Sequence, residues 1–266
     1  MIPTASVLGA LLLGVLQGLT EFLPVSSSGH LVLFQQFVTI GGDEVLFDLI
    51  LHVGTLLPVL YFYRAQVAEL IHDPLRGSGP FMEREGVKLW ILLIAASIPT
   101  AIIGLTLEDW FDALFSNPAA LTITFAITAT FLFATRFVGP KHRAITVPLA
   151  VLLGTVQGFA ITPGISRSGS TISMALFLGI DRDEAARFSF LMSVPAITGA
   201  VLKKGLDADL AAFDLAQVSV GFVASLFSGY LALTLLVQLV KRGNLHYFAP
   251  YCLAAAALAG FLAFSA

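Results

Sequence analysis

Charge is what this chain has least of. Only 12% of its 266 residues are Asp, Glu, Lys or Arg, 57% are hydrophobic, and mean hydropathy is +0.91. Soluble domains carry about a quarter charged residues, so a water-soluble domain is excluded and the chain reads as a polytopic membrane protein. Cysteine is nearly absent. The single Cys252, inside an apolar run, excludes an intramolecular disulfide and a cysteine metal cluster. The formal net charge of −3 is too small and too dispersed for a nucleic-acid partner. The stretch from Met1 to Gly14 lacks the basic start of a signal peptide and is expected to stay in the mature protein.

Against this apolar background stands Gln17 to His30, QGLTEFLPVSSSGH, dense in hydroxyl and ionisable groups. It has an echo. Shifted by 140 residues, Gly154 to Gly169 repeats Gly14 to Gly29 at six of sixteen places: Gly14/154, Gln17/157, Gly18/158, Ser26/166, Ser28/168 and Gly29/169. The repeat divides one membrane domain, residues 1–266, into halves of about 1–140 and 145–266.

Gly14, Gln17, Gly18 and Glu21 recur at spacings of three and four, which is one stripe of a helix. Such a stripe is costly against hydrocarbon and must face protein or water. Pro24 ends that helix, and Ser26 to Ser28 offer N-cap chemistry to a second helix near 28–40. The second helix is too short for about 30 Å of hydrocarbon, so residues 5–40 read as a re-entrant hairpin. Spans are expected at 45–63, 87–107 and 117–137. The second half follows the same plan, with a hairpin at 146–179 broken at Pro163-Gly164, then spans at 186–203, 216–240 and 247–265. Three crossings per half turn the second half upside down. The expected fold is an all-α inverted-topology repeat, each half a re-entrant helical hairpin plus three transmembrane helices.

Lysine and arginine placement orients it. Loops at 64–88, 136–144, 181–187 and 241–242 hold eleven of them, the opposite loops only Lys203 and Lys204, while 108–112 carries Glu108, Asp109 and Asp112. The basic loops are then cytoplasmic, and both termini and the mouth of the site face the periplasmic or external side. The hairpins enter from opposite faces and their broken tips meet at mid-membrane, which requires a polar cavity.

Helix N-termini past each break present free N–H groups and positive dipole ends, and Arg167 adds a guanidinium suited to phosphate. Ser26, Ser27, Ser28, Ser166, Ser168, Ser170 and Thr171 add hydrogen bonds without charge. Any one serine is more often a cap or a helix–helix bond, and the bland alternative for Arg167 is an ion pair with Glu21. A carboxylate near a bound anion makes sense if a divalent cation lies between them or if it orients a histidine, so Glu21 is the metal candidate. His30 is a nucleophile, base or acid candidate. Asp48 and His52, at i, i+4, either join the site or form a packing pair. His72, His142 and His246 fall in expected loops and receive no role.

Gln17-Gly-Leu-Thr-Glu21, Pro24-Val-Ser-Ser-Ser-Gly-His30 and Pro163-Gly-Ile-Ser-Arg-Ser-Gly-Ser-Thr171 resemble the (E/Q)xxxE, PVSSSGH and PGxSRSxxT motifs of the bacterial undecaprenyl-diphosphate phosphatases, also called bacitracin-resistance proteins. The resemblance spans essentially the whole chain. It implies a bacterial plasma-membrane enzyme, set among membrane lipids, that hydrolyses undecaprenyl diphosphate to the monophosphate with a divalent cation, Mg2+ or Ca2+. The lipid carrier is thereby recycled for peptidoglycan synthesis, and a homodimer is compatible with the family. Carried over by position, Glu21 is the metal-associated carboxylate and, with Ser27, His30 and Arg167, the catalytic set. Gln17, Ser26, Ser28, Ser166, Ser168 and Thr171 are the expected substrate ligands. Gln17 stands at the first place of the acidic motif, so a two-carboxylate metal site at 17 and 21 is absent. The attacking group is left open among Ser27, His30 and water. The alternative is a transporter of a prenyl phosphate or another anion. Against it stands the asymmetry of the halves, where Glu21 is matched by Ile161, His30 by Ser170 and Arg167 by Ser27.

Overall fold

The structure, a computed structural model, describes residues 7–35, 37–38, 44–115, 117, 119–139, 141–205 and 214–265. A chain in hydrocarbon must close its backbone hydrogen bonds internally, and the described residues do so almost entirely as helices. Helix α1 (Val7–Phe22) stops ahead of Pro24, whose ring disfavours a helical residue before it, and α2 (Ser27–Gln35) starts again beyond the break. Helix was expected over 28–40; it is described over Ser27–Gln35, residues 37 and 38 are not helical, and 36, 39 and 40 lie outside the described residues.

Helix α3 (Glu44–Phe62) is the first expected span. The stretch beyond it was expected as loop and is instead helix α4 (Arg64–Arg76), turned by 76° from α3. The physical reason is amphipathicity: Val67 and Leu70 pack into the core, while Arg64, Glu69 and His72 face outward, a pattern that settles a helix along an interface. Helix α5 (Glu85–Thr106) crosses back. The acidic stretch at 108–112, also expected as loop, lies in the short helix α6 (Glu108–Phe115), where Glu108 and Asp109 suit the positive end of the dipole. Helix α7 (Ala120–Ala134) runs on through a 3-10 turn to Phe137.

The second half repeats the order. Helix α8 (Val147–Phe159) ends before Pro163-Gly164 and α9 (Arg167–Phe177) restarts. Then come α10 (Arg182–Gly205), α11 (Leu215–Lys241) and α12 (Ala249–Ser265). Among the described residues five helical stretches are long and apolar enough to cross a membrane, and the bent pair α3–α4 makes six.

The echo between the halves is a repeated helix cap. Ser26 Oγ accepts the N–H of Gly29 at 3.3 Å, and Ser166 Oγ accepts that of Gly169 at 3.1 Å. The hydroxyls of Ser28 and Ser168 stand 3.4 and 3.3 Å from those same capping oxygens.

Packing is reciprocal as well. Helix α1 lies along α11 and α8 along α5, so the first arm of each hairpin rests on the second span of the other half. Helix α3 also packs on α11, α10 on α5, and α7 on α12. Lipid is as apolar as leucine, so such pairs are held by close van der Waals contact rather than by expelled water. Glycines permit the approach: a methyl on Gly18 would stand 2.0 Å from Ser228 Oγ, and one on Gly154 only 1.9 Å from the Ala96 carbonyl oxygen. Gln17, on the expected polar stripe of α1, is fully buried, and Gln157 is its counterpart on α8. Gln157 donates to Thr100 Oγ1 and to the Met192 carbonyl, both at 3.3 Å, while its Oε1 is buried without a hydrogen-bond partner.

Candidate active site at the hairpin tips

The two tips interlock. Ser26 has a φ of 68°, the one positive value outside glycine among the described residues, and that turn sends its Oγ to the N–H of Gly164 at 3.0 Å, across the repeat. Gly164, with φ 86°, supplies the second bend at no steric cost. Thr128 on α7 fastens the same bend, its Oγ1 accepting from Ser166 N and donating to the Gly164 carbonyl, each at 2.9 Å. Ser168 Oγ donates to the Phe22 carbonyl at 3.0 Å, closing the end of α1.

These bonds bring Glu21 and Arg167 together. Glu21 is in the last turn of α1 and Arg167 is the first residue of α9; Oε1 of Glu21 takes one guanidinium arm. Oε2 accepts the hydroxyl of Ser27 at 2.7 Å and the amide of Gln17 at 3.1 Å, with His52 Nε2 at 3.4 Å. Two polar atoms are left over. Arg167 Nη1 and Gln17 Oε1 are buried and have no hydrogen-bond partner. An unspent donor and an unspent acceptor beside a buried ion pair are costly unless something further binds there.

The ion pair of Arg167 with Glu21, the bland alternative to an anion-binding arginine, is therefore present, and the second arm of the guanidinium has no partner. His52 joins the cluster. Its partner Asp48 does not pair with it through side chains: the Asp48 carboxylate accepts from Gln35 Nε2 at 3.0 and 3.1 Å, while its backbone carbonyl takes His52 Nδ1 at 2.7 Å. His30 has no bond to Glu21. Its Nδ1 meets the Ser26 carbonyl and its Nε2 the Tyr251 hydroxyl, both at 2.8 Å, though it stands one turn along α2 from Ser27.

Several expected substrate ligands are occupied in holding the tips. Ser26 and Ser166 cap helices, Ser168 locks Phe22, and Thr171 donates to the Arg167 carbonyl at 2.7 Å and meets Ser189 Oγ at 2.5 Å. Ser28 is partly exposed, touching Ser26 Oγ. Thr128, Ser189 and Tyr251 went unread in the sequence. Thr128 is one of several threonines in its apolar span and Ser189 recurs with Ser193 one turn on, so neither stood out in the sequence; Tyr251 carried no signal.

The donor set suits a hard cation only in part. No group of three or more His, Cys, Asp or Glu capable of caging a metal exists among the described residues. The Glu21 carboxylate and the partnerless Gln17 Oε1 are oxygen donors of the kind Mg2+ and Ca2+ take, and Mg2+ ordinarily fills its remaining places with water and substrate phosphate. A separate groove lined by Lys88, Arg143, Arg187, Glu85, Asp183 and Glu184 already pairs Lys88 with Glu85 at 2.8 Å and Arg187 with Glu184, so it is a poor anion site.

The sequence is similar to known proteins over nearly its whole length. The profile of the bacitracin resistance protein BacA matches residues 10–258. An undecaprenyl-diphosphatase of Desulfatibacillum aliphaticivorans is 44% identical over 260 residues, covering 92% of this chain and 94% of the relative. Those of Desulfosudis oleivorans and Carboxydothermus hydrogenoformans are 44% and 43% identical, covering 90% and 91% of this chain and 92% of each relative.

Proposed function

Since the chain belongs to the bacitracin resistance protein BacA family, we propose that it is an undecaprenyl-diphosphatase, releasing phosphate from undecaprenyl diphosphate and leaving the lipid monophosphate. One observation carries the chemistry: the Ser27 hydroxyl rests on the Glu21 carboxylate, beside a guanidinium with a free arm. That is the geometry of a nucleophile with its base and an electrophilic clamp.

The diphosphate docks with its terminal phosphoryl oxygens on Arg167 Nη1 and on the N–H groups opening α2 and α9, which favour negative charge. Ser27 Oγ attacks the terminal phosphorus and its proton passes to Glu21. The bond from that phosphorus to the bridging oxygen breaks, and the lipid monophosphate leaves with the electron pair. Water then attacks the phosphoserine, giving a proton to His30 Nε2, while Glu21 returns its proton to Ser27 as phosphate departs. Charge spread over the equatorial oxygens is stabilised by position rather than by further covalent chemistry. Gln17 and Glu21 would hold the divalent cation, whose charge offsets the repulsion between carboxylate and diphosphate. His52 supports Glu21 from the side nearer solvent, being 24% exposed against 6% for the Glu21 side chain.

The reading places the enzyme in the bacterial plasma membrane with the two hairpins in inverted orientation, supported by the reciprocal packing of the halves and by the eleven basic residues gathered on one set of loops. Both termini and the opening then face the periplasmic or external side. All the groups named come from one chain, so a homodimer is not needed for the chemistry. Transport is not favoured, because alternating access gives no reason for a Glu/Ser pair facing an arginine in only one of two otherwise matched tips.

Rapid quench with substrate labelled at the terminal phosphorus tests the covalent step. Label is expected on Ser27 within the first turnover, and acid-stable phosphoserine should accumulate in His30→Asn. Label on His30, or full activity in Ser27→Ala, would remove serine from the reaction.

A further inference from the structure

His30 is 4% exposed and its imidazole is held on every side that the structure describes. Nδ1 lies 2.8 Å from the carbonyl oxygen of Ser26, which can only accept, so Nδ1 carries the proton. In the neutral ring Nε2 is then a lone pair, and the group 2.8 Å from it, the Tyr251 hydroxyl, is the donor. Tyr251 also stacks on the imidazole, with centroids 5.7 Å apart and planes 12° from parallel, and Phe125 closes the other side edge-on at 5.3 Å. The next residue of α12, Cys252, touches the Pro24 carbonyl at 3.6 Å, which fastens this turn of α12 to the first hairpin tip. Tyr251 itself is half exposed.

We propose that Tyr251 is a positioning residue for the phosphatase reaction: while the Ser26 carbonyl keeps the proton on Nδ1, the Tyr251 hydroxyl fixes the ring by its Nε2 lone pair, and yields that lone pair to the hydrolytic water when the diphosphate binds. The inference rests on the assignment of His30 to the hydrolytic step. It adds what that assignment lacks. A buried imidazole with Nε2 unpartnered would be held by the Ser26 bond alone and could turn about it, carrying the lone pair away from the place where water must be met. The tyrosine ring contributes packing and the hydroxyl fixes the orientation of the imidazole. The two contributions are separable, because Tyr251→Phe keeps the ring.

The test uses purified full-length protein in detergent, labelled with 15N-histidine, with a prenyl diphosphate as substrate. Wild type is expected to show His30, identified by its loss in His30→Asn, with Nδ1 protonated and Nε2 bare. Tyr251→Phe should keep Nδ1 protonated but shift and broaden the Nε2 signal as its bond is lost, with the melting temperature and KM nearly unchanged and kcat lowered by about tenfold, the size of a lost positioning bond of about 1.4 kcal/mol. Tyr251→Phe combined with His30→Asn should be no slower than His30→Asn alone, because the tyrosine acts through the histidine. Wild-type kcat in Tyr251→Phe, with His30→Asn impaired, would overturn the proposal while leaving the assignment of His30 standing. A wild-type rate in His30→Asn would overturn the assignment, and the proposal with it.

Discussion

At the scale of single residues the account turns on Arg167. Its guanidinium has two arms, one on Glu21 and one without a partner, and a lysine in its place supplies one charge and no fork. Arg167→Lys is therefore expected to lower phosphate release by more than about tenfold, or about 1.4 kcal/mol in barrier, with folded yield unchanged. Turnover near wild type in that variant would mean that the arginine supplies bulk potential only. Gln17 gives a second residue-level expectation. If its partnerless Oε1 serves a cation, Gln17→Leu should raise the cation concentration needed for half-maximal activity by about tenfold or more, as loss of a ligand does. An unchanged cation requirement would leave Gln17 with no part in holding the cation.

At the scale of elements the glycine seams and caps decide stability. Gly154→Ala drives a methyl against the backbone of α5 and is expected to cost about 1–3 kcal/mol, read as a lower melting temperature in detergent. The same change at Gly199, where a methyl would meet nothing within 4 Å, should be neutral or slightly stabilising. Asp181 caps α10, its Oδ1 accepting from Asp183 N at 2.9 Å. Burial pushes its carboxyl up, but the N–H groups of Asp183 and Glu184 and the nearby His142 outweigh that and hold it below the usual value. A carboxyl lowered on folding contributes stability that is complete above the ordinary carboxylate range and is lost as pH falls through its folded value. Asp181→Ala should cost about 1 kcal/mol at neutral pH and nothing below that window; a loss independent of pH would show that the charge is not involved.

Much of this scale was legible beforehand. Pro24, the Pro163-Gly164 pair and the repeated Ser-x-Ser-Gly spelled out both breaks and both caps, because each acts on the backbone beside it. Helix α4 was missed because charge was read as loop when it was one face of an amphipathic helix. Thr128, Ser189 and Tyr251 were missed because what gives them meaning is a partner far along the chain.

For the molecule as a whole the claim is one of orientation and chemistry together. Cysteine placed at Ser78, in the basic stretch between α4 and α5, in a Cys252→Ala background, should react with an impermeant thiol reagent only after spheroplasts are opened. Cysteine at Ser6 or Ser265 should react in intact ones, and the reverse pattern would turn the protein over.

The most direct measurement is phosphate release from a prenyl diphosphate by the purified protein in detergent, where no compartments exist for a transporter to join. The account predicts release that requires Mg2+ or Ca2+, stops with chelator, and falls by at least about 100-fold in Glu21→Gln and in Ser27→Ala, the range for losing a base or nucleophile. No release by folded wild-type protein, or release unaltered in both variants, would contradict it.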